Sequence, residues 1–398
     1  PNPNPNPNPN PNPNPNPNPN LNPDPNPHPD PDPGQVMELF EEIAAKHGLA
    51  ALMHEKPFKG INGSGKHNNF SLACDTGLNL FNGPQTSAST GAQEAFPCIM
   101  ACVIKAVHKY PDLLRMSIAT PGNDFRLGAM EAPPSIISTY LGDALQSFLE
   151  EVKQKQTCGM YAPEKKTVNP APGKVAPFTV PAEDRNRTSP LPYGGHRFEF
   201  RAVGSSQNVS MVNTVLCSAI AEQFQDMVKQ LDAGKKPLAI AAEYLTEASA
   251  IVFNGDGYSA EWPVEAAKRG LHIENSNPEA IQNLTREKNI KMFEELGVMS
   301  KEETLARADA MQVQYSGMVE IELKCMIEMI NTMAIPACKS HGVAYAKLEA
   351  GVTKLEAALA SMECCTSPFE MSKAGRIARL QVTGLDWTGL DWTGLDWT

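Results

Sequence analysis

From Pro1 to Asn20 the chain is an unbroken Pro-Asn repeat, and that repeat sets the first limit on what can fold. A proline at every second position fixes φ and removes every other N–H donor, so the stretch can build neither a helix nor a strand ladder. The repeat decays through Leu21-Asn22-Pro23-Asp24-Pro25 and ends near Gly34. Residues 1–34 therefore read as an extended low-complexity arm. A second repeat, Thr-Gly-Leu-Asp-Trp, fills residues 383–398. Both have the regularity of translated short tandem DNA; diverse synonymous codons across them would contradict that origin. The fold is expected within residues 35–382, enough chain for a substantial core.

Charge and cysteine usage narrow the class. A net charge of −11 and a sequence pI near 5.3 argue against nucleic acid or an anionic membrane as the main partner. No apolar run approaches the ~20 residues of a membrane span. The nine cysteines are scattered, some in apolar helical runs such as Cys98, Cys102 and Cys217, with no CxxC pair and no secretory leader pattern. Cys364-Cys365 has no matching pair and reads as incidental. These features point to a reducing compartment, the cytoplasm, with an organelle left open.

Gly60-xxxx-Gly65-Lys66 nearly spells a phosphate-binding P-loop, but His67 stands where Ser or Thr should hold Mg²⁺. A P-loop also runs into a helix. Here His67, Asn69 and Ser71 alternate with Asn68, Phe70 and Leu72, which predicts a strand carrying polar groups on one face. A second alternation, Arg197-Phe198-Glu199-Phe200-Arg201, turns the phenylalanines to the core and the charged trio to a cleft or to water.

Around these strands the pattern predicts helices over 35–47 (stopped by Gly48), 92–110 and 135–152, with a short strand over 49–53. Residues 76–91 read as a loop and 153–182 as an irregular excursion. Further helices are expected near 211–231, 237–253, 263–269, 278–296, 301–333 and 344–362, with a glycine turn at Asn254-Gly255-Asp256-Gly257-Tyr258. Met318, Met326, Met329 and Met333 recur at helical spacing and are expected in the core.

Each charged stretch alone has a bland reading: a salt-bridged outer strand, a hydrogen-bonded structural histidine, an exposed glutamate. Their coexistence is more specific. The chain combines a glycine loop with His67, a Gly/Pro-rich segment with Arg126 and Glu131, an Arg185-Asn186-Arg187 turn, and the Arg/Glu strand. Arginines suit phosphate and carboxylate groups, carboxylates suit divalent cations, and phosphoryl transfer needs positioning plus charge neutralisation. This inventory fits an ATP-using ligase or kinase acting on a carboxylate.

Residues 54–72, 123–137, 184–190, 197–206 and 253–271 together resemble glutamine synthetase, most closely its large type III form. The resemblance implies an α+β catalytic domain, with an antiparallel sheet bearing the site, helices behind it and a long helical C-terminal portion. It implies glutamine formation from glutamate, ammonium and ATP through a γ-glutamyl phosphate, with Mg²⁺ or Mn²⁺, in a ring-shaped homo-oligomer. By motif, Asn62, Gly63, Arg126 and Arg201 look like glutamate contacts. Asn69, Ser71 and Arg197 look like ATP contacts, and His67 and Glu199 like metal ligands. Glu131 resembles the flap glutamate that closes the site, and Arg187 the arginine that stabilises the transferring phosphoryl group.

The chain departs from the type III pattern at Phe125 and Met130, where that form has His and Asn, and another relative's arginine falls on Pro192. The family's N-terminal β-grasp domain and most of its metal-binding glutamates lie upstream, where this chain has the Pro-Asn repeat. The expectation is a truncated, weakly active or inactive catalytic domain. Two other readings stand beside it: a different ATP-dependent carboxylate–amine ligase on the same fold, and a non-catalytic remnant that binds nucleotide or oligomerises.

Overall fold

The computed structural model describes residues 33–51, 65–90, 93–123, 134–163, 166–168, 178–180, 186–204 and 207–383. Two compact units divide the chain, residues 1–54 and 55–398. In the first, helix α1 (Pro33–Lys46) ends as the sequence predicts, with Gly48 at φ +69°, a backbone state that glycine adopts without strain. No strand forms over the described residues 49–51; the remainder of that expected strand lies outside the described residues.

The second unit is α+β, as expected. Strand β1 (Gly65–Phe70) follows, then α2 (Gly83–Thr90), α3 (Ala95–Lys109) and α4 (Pro111–Met116). Strand β2 (Thr139–Tyr140), α5 (Gly142–Lys155), and strands β3 (Lys166–Val168), β4 (Phe178–Val180), β5 (Leu191–Pro192) and β6 (Phe198–Gly204) come next. Helices α6 (Ser210–Asp232), α7 (Pro237–Glu247), α8 (Glu261–Lys268), α9 (Asn277–Gln282) and α10 (Glu287–Glu295) begin the helical portion. It is completed by α11 (Lys301–Met329), α12 (Ile335–Ser340), α13 (Ala346–Glu363) and α14 (Pro368–Thr383). Among the described residues, no helix is long and apolar enough to cross a membrane.

β1 and β6 pair antiparallel, β2 and β5 parallel, and β3 and β4 antiparallel. Phe198 and Phe200 are fully buried, with Phe70 stacked on Phe198 at 6.1 Å and Phe81 edge-on to it at 5.3 Å. These rings join the β1–β6 pair to a core built from α3, α6 and α7. A second core lies among α9, α11, α13 and α14. There a capping box at Ser300 and Glu303 starts α11, satisfying two terminal N–H groups reciprocally. Ser372 Oγ donates to the Gln312 carbonyl at 2.7 Å, and Arg379 pairs with Glu322, so α14 runs parallel to α11.

Four expectations are corrected. Residues 83–90, read as loop, form α2. Asn82 Oδ1 accepts the Gln85 N–H at 3.2 Å and Pro84 follows in the first turn, a start signal outweighed by the polar composition. The helix expected from 135 starts only at Gly142, because Thr139 and Tyr140 are drawn into pairing with β5. The excursion 153–182 contains the β3–β4 hairpin. The four methionines expected in the core are not there: Met318, Met326, Met329 and Met333 are 37–63 % exposed. α11 buries Thr304, Gln312, Tyr315, Ser316, Val319 and Leu323, so polar residues share its inner face and apolar spacing alone could not identify that face. The five-residue π turn Ile330–Ala334, ahead of Pro336, then shifts the phase of the helix.

Candidate active site

The site face is set by strand pairing. Asn69 lies opposite Glu199 and Asn68 opposite Phe200, while the register slips between Lys66 and Asn68. Lys66 pairs with Val203, so Arg201 and Ala202 together face His67: β6 carries one extra residue, a β-bulge of the kind that re-aims side chains beside functional sites. The predicted two-face alternation holds. The phenylalanines point to the core, and Glu199 and Arg201 share the other face with His67.

On that face His67 Nδ1 lies 2.7 Å from Glu199 Oε1, a contact that puts the ring hydrogen on Nδ1. Arg201 Nη1 reaches the same oxygen at 3.3 Å. The side chains of Glu199 and Arg201 are each 7 % exposed, and that of His67 is 30 % exposed. A carboxylate this enclosed stays in place because cationic and hydrogen-bonding partners meet it; losing one would leave an uncompensated buried charge. Arg201 Nη2 also donates to the Arg187 carbonyl oxygen at 3.1 Å, which brings the Arg187 turn to the same face.

Arg197 sits just before β6, in the turn that begins where the Gly194 N–H donates to the Arg197 carbonyl at 2.8 Å. Its Nε donates to Asn69 Oδ1 at 2.8 Å, and its Nη1 lies 3.0 Å from His196 Nε2. Two of the three residues expected to face ATP, Asn69 and Arg197, are thus brought together at one end of the strand pair. Asn79 Nδ2 ties the same turn by donating to the His196 carbonyl at 2.8 Å. Neither Asn79 nor His196 stood out in the sequence, because single polar residues in loops carry no periodic signal. Ser71 is exposed just beyond β1.

The Arg187 turn is built by Asn186, whose Oδ1 accepts the N–H groups of Thr188 and Ser189 at 2.7 and 2.9 Å and the Thr188 hydroxyl at 3.0 Å. This is a side-chain-closed turn, and Asn at that position was its readable signal. The Arg187 side chain is exposed.

Residues 35–111 match the family model for the glutamine synthetase catalytic domain, and residues 238–350 that for the glutamine synthetase C-terminal domain; the two spans bracket β6. The type-3 glutamine synthetase of Dictyostelium discoideum is 39 % identical over 313 residues, covering 77 % of this chain and 42 % of that protein. This chain belongs to the glutamine synthetase family. Glutamine synthetases of Bacteroides fragilis (strain YCH46) and Butyrivibrio fibrisolvens are 37 % and 35 % identical, covering 77 % and 74 % of this chain and 43 % and 42 % of themselves. The chain therefore spans about two fifths of the length of these glutamine synthetases.

Of the residues that the glutamine synthetase resemblance singles out, His67, Asn69, Arg187, Arg197, Glu199 and Arg201 are brought to one strand pair and its flanking turns. Asn62, Gly63, Arg126 and Glu131 lie outside the described residues. His67 and Glu199 offer one imidazole nitrogen and one carboxylate, a donor set that suits Mg²⁺ or Mn²⁺ in kind but falls short of the roughly six ligands such ions take. Among the described residues no group of three or more His, Cys, Asp or Glu side chains converges to hold a metal ion. An ion held there would need its remaining ligands from substrate oxygens, water or groups outside the described residues. All nine cysteines are free thiols, and burial pushes the Cys98 thiol up to about 12, so it stays protonated and inert.

Proposed function

We propose that this chain carries the catalytic face of a glutamate–ammonia ligase, forming glutamine from glutamate, ammonium and ATP through a γ-glutamyl phosphate. The observation that carries the reading is the meeting of His67, Glu199 and Arg201 at one buried point, with the Arg187 turn bound to Arg201. In this reading His67 and Glu199 hold Mg²⁺ or Mn²⁺, which when bound neutralises phosphate charge. Arg201, with Arg126, Asn62 and Gly63, takes the glutamate. Arg197, Asn69 and Ser71 face the ATP, and Asn69 fixes the Arg197 guanidinium. Arg187 stabilises the phosphoryl group in transfer, and Glu131 closes the site and helps to deprotonate ammonium. With two protein ligands among the described residues, we expect slow turnover unless further ligands join, as in a ring-shaped homo-oligomer in the cytoplasm.

The test is glutamine formation by the purified chain from glutamate, ammonium and ATP with Mg²⁺ or Mn²⁺. Glutamine that appears with stoichiometric ADP and phosphate supports the reading. Turnover with another amine or carboxylate, and none with ammonium plus glutamate, would assign a different ligase. Absence of both turnover and Mn²⁺–ADP binding would make the face a non-catalytic remnant.

A further inference from the structure

We propose that Gly257 and Tyr258, in the turn over residues 254–258, are positioning residues that set the Arg187 turn against the site. This rests on the reading of Arg187 given above. The two turns are joined at four points. The Gly257 N–H donates to Thr188 Oγ1 at 2.9 Å, and the Tyr258 hydroxyl donates to the Arg187 carbonyl at 3.3 Å. Asn186 Nδ2 donates to the Gly255 carbonyl at 3.4 Å. The fourth point is steric: a Cβ on Gly257 would stand 2.5 Å from the Thr188 carbonyl oxygen, so only glycine lets the two backbones come this close.

The contact continues into the site. The carbonyl that receives the Tyr258 hydroxyl also receives Arg201 Nη2 at 3.1 Å, and Arg201 in turn holds Glu199, which holds His67. The same turn reaches the other candidate catalytic segment. Pro134 and Ser135, three and four residues after Glu131, line a small cavity together with Thr188, Gly257 and Tyr258. One turn therefore borders both the Arg187 turn and the residues that follow Glu131, and its hydrogen bond to Arg187 goes to the backbone carbonyl. Backbone contacts of this kind fix where a guanidinium starts from, and a displacement of about 1 Å at a reacting centre can cost about 100-fold in rate.

The test compares the full 398-residue chain with Y258F and G257A, measuring γ-glutamyl hydroxamate formed from glutamine and hydroxylamine with Mn²⁺ and ADP. The expected result is a kcat lower by about 10-fold in Y258F and about 100-fold in G257A, with KM for glutamine changed by less than about twofold. Thermal unfolding of Y258F is expected within about 2 °C of wild type. In parallel, the ¹⁵N Nε–Hε resonances of Arg187 and Arg201, assigned through R187K and R201K, are expected to shift in both variants. Resonances that stay in place, or that move while kcat is unchanged, overturn the proposal, as does a rise in KM at constant kcat. If wild type forms no hydroxamate, the ligase reading fails while the resonances still decide the contact: movement supports it and stasis overturns it.

Discussion

Two buried carboxylates, Glu199 and Asp112, contrast a candidate site with a scaffold. Asp112, 1 % exposed in the first turn of α4, receives Arg286 Nη1 at 3.0 Å, Lys288 Nζ at 2.9 Å and Asn289 Nδ2 at 3.2 Å. All three come from one short stretch at the start of α10, and both carboxylate oxygens are engaged. Among the described residues Glu199 has two partners, from two different strands, and both meet Oε1. The first arrangement joins two helices. The second gathers a histidine, an arginine and a carboxylate on a strand face, with a bulge beside them. Burial and charge pairing are common to both; what differs is whether the partners saturate the acid or converge on a shared point.

The largest effect that follows is on stability, at the scaffold acid. D112A takes one of two acceptors from the buried Asn289 amide and removes the tie between α4 and α10. Because Arg286 and Lys288 can turn to water, we expect a loss of about 2–3 kcal/mol by urea unfolding, somewhat less than for a fully enclosed pair. An unchanged midpoint would break the comparison from the scaffold side.

The converse substitution, E199Q, is expected to lower glutamine-forming turnover by about 10- to 100-fold, with a smaller change in the unfolding midpoint than D112A. A stability loss larger than that of D112A, with turnover retained, would make Glu199 a second scaffold acid.

A finer effect comes from His272, beside the Asp112 cluster, whose pKa burial lowers from its ordinary 6.5. The unfolded chain takes up that proton near pH 6.5 and the folded chain only at lower pH. The contribution to stability is therefore complete above about pH 6.5 and is lost as pH falls toward the depressed folded value. Burial lowers His108 as well, while Glu274, raised by burial, acts in the opposite direction nearer its own range. H272Q should thus flatten part of the acid-side decline in the urea midpoint between pH 6.5 and 5. A decline identical to wild type would contradict it.

The smallest effect concerns α11. Gly317 lies inside that helix, and a Cβ added there would meet nothing within 4 Å. G317A should therefore raise stability by about 0.5–1 kcal/mol and leave turnover unchanged.

Much of the site was legible because strands alternate. The faces of β1 and β6 follow from His67, Asn69, Glu199 and Arg201 being spaced by two, and the paired phenylalanines on the reverse side fix which face is buried. The bulge was not legible, since nothing in Arg201-Ala202 marks an extra residue. The Asn69–Arg197 hydrogen bond and the contact of the 254–258 turn with Arg187 join residues 128 and 71 positions apart, and only tertiary packing reveals them. Most helices, though not α2, were readable from apolar spacing, but the inner face of α11 was not, because Gln312 and Ser316 are buried there while Met326 and Met329 are exposed.

Calorimetric titration of Mn²⁺ in the presence of ADP into the wild-type chain, D112N and E199Q tests the central claim most directly. Wild type and D112N are expected to bind with similar affinity, and E199Q with an affinity lower by about 10- to 100-fold. Equal affinity in wild type and E199Q would contradict the assignment of Glu199 to the site.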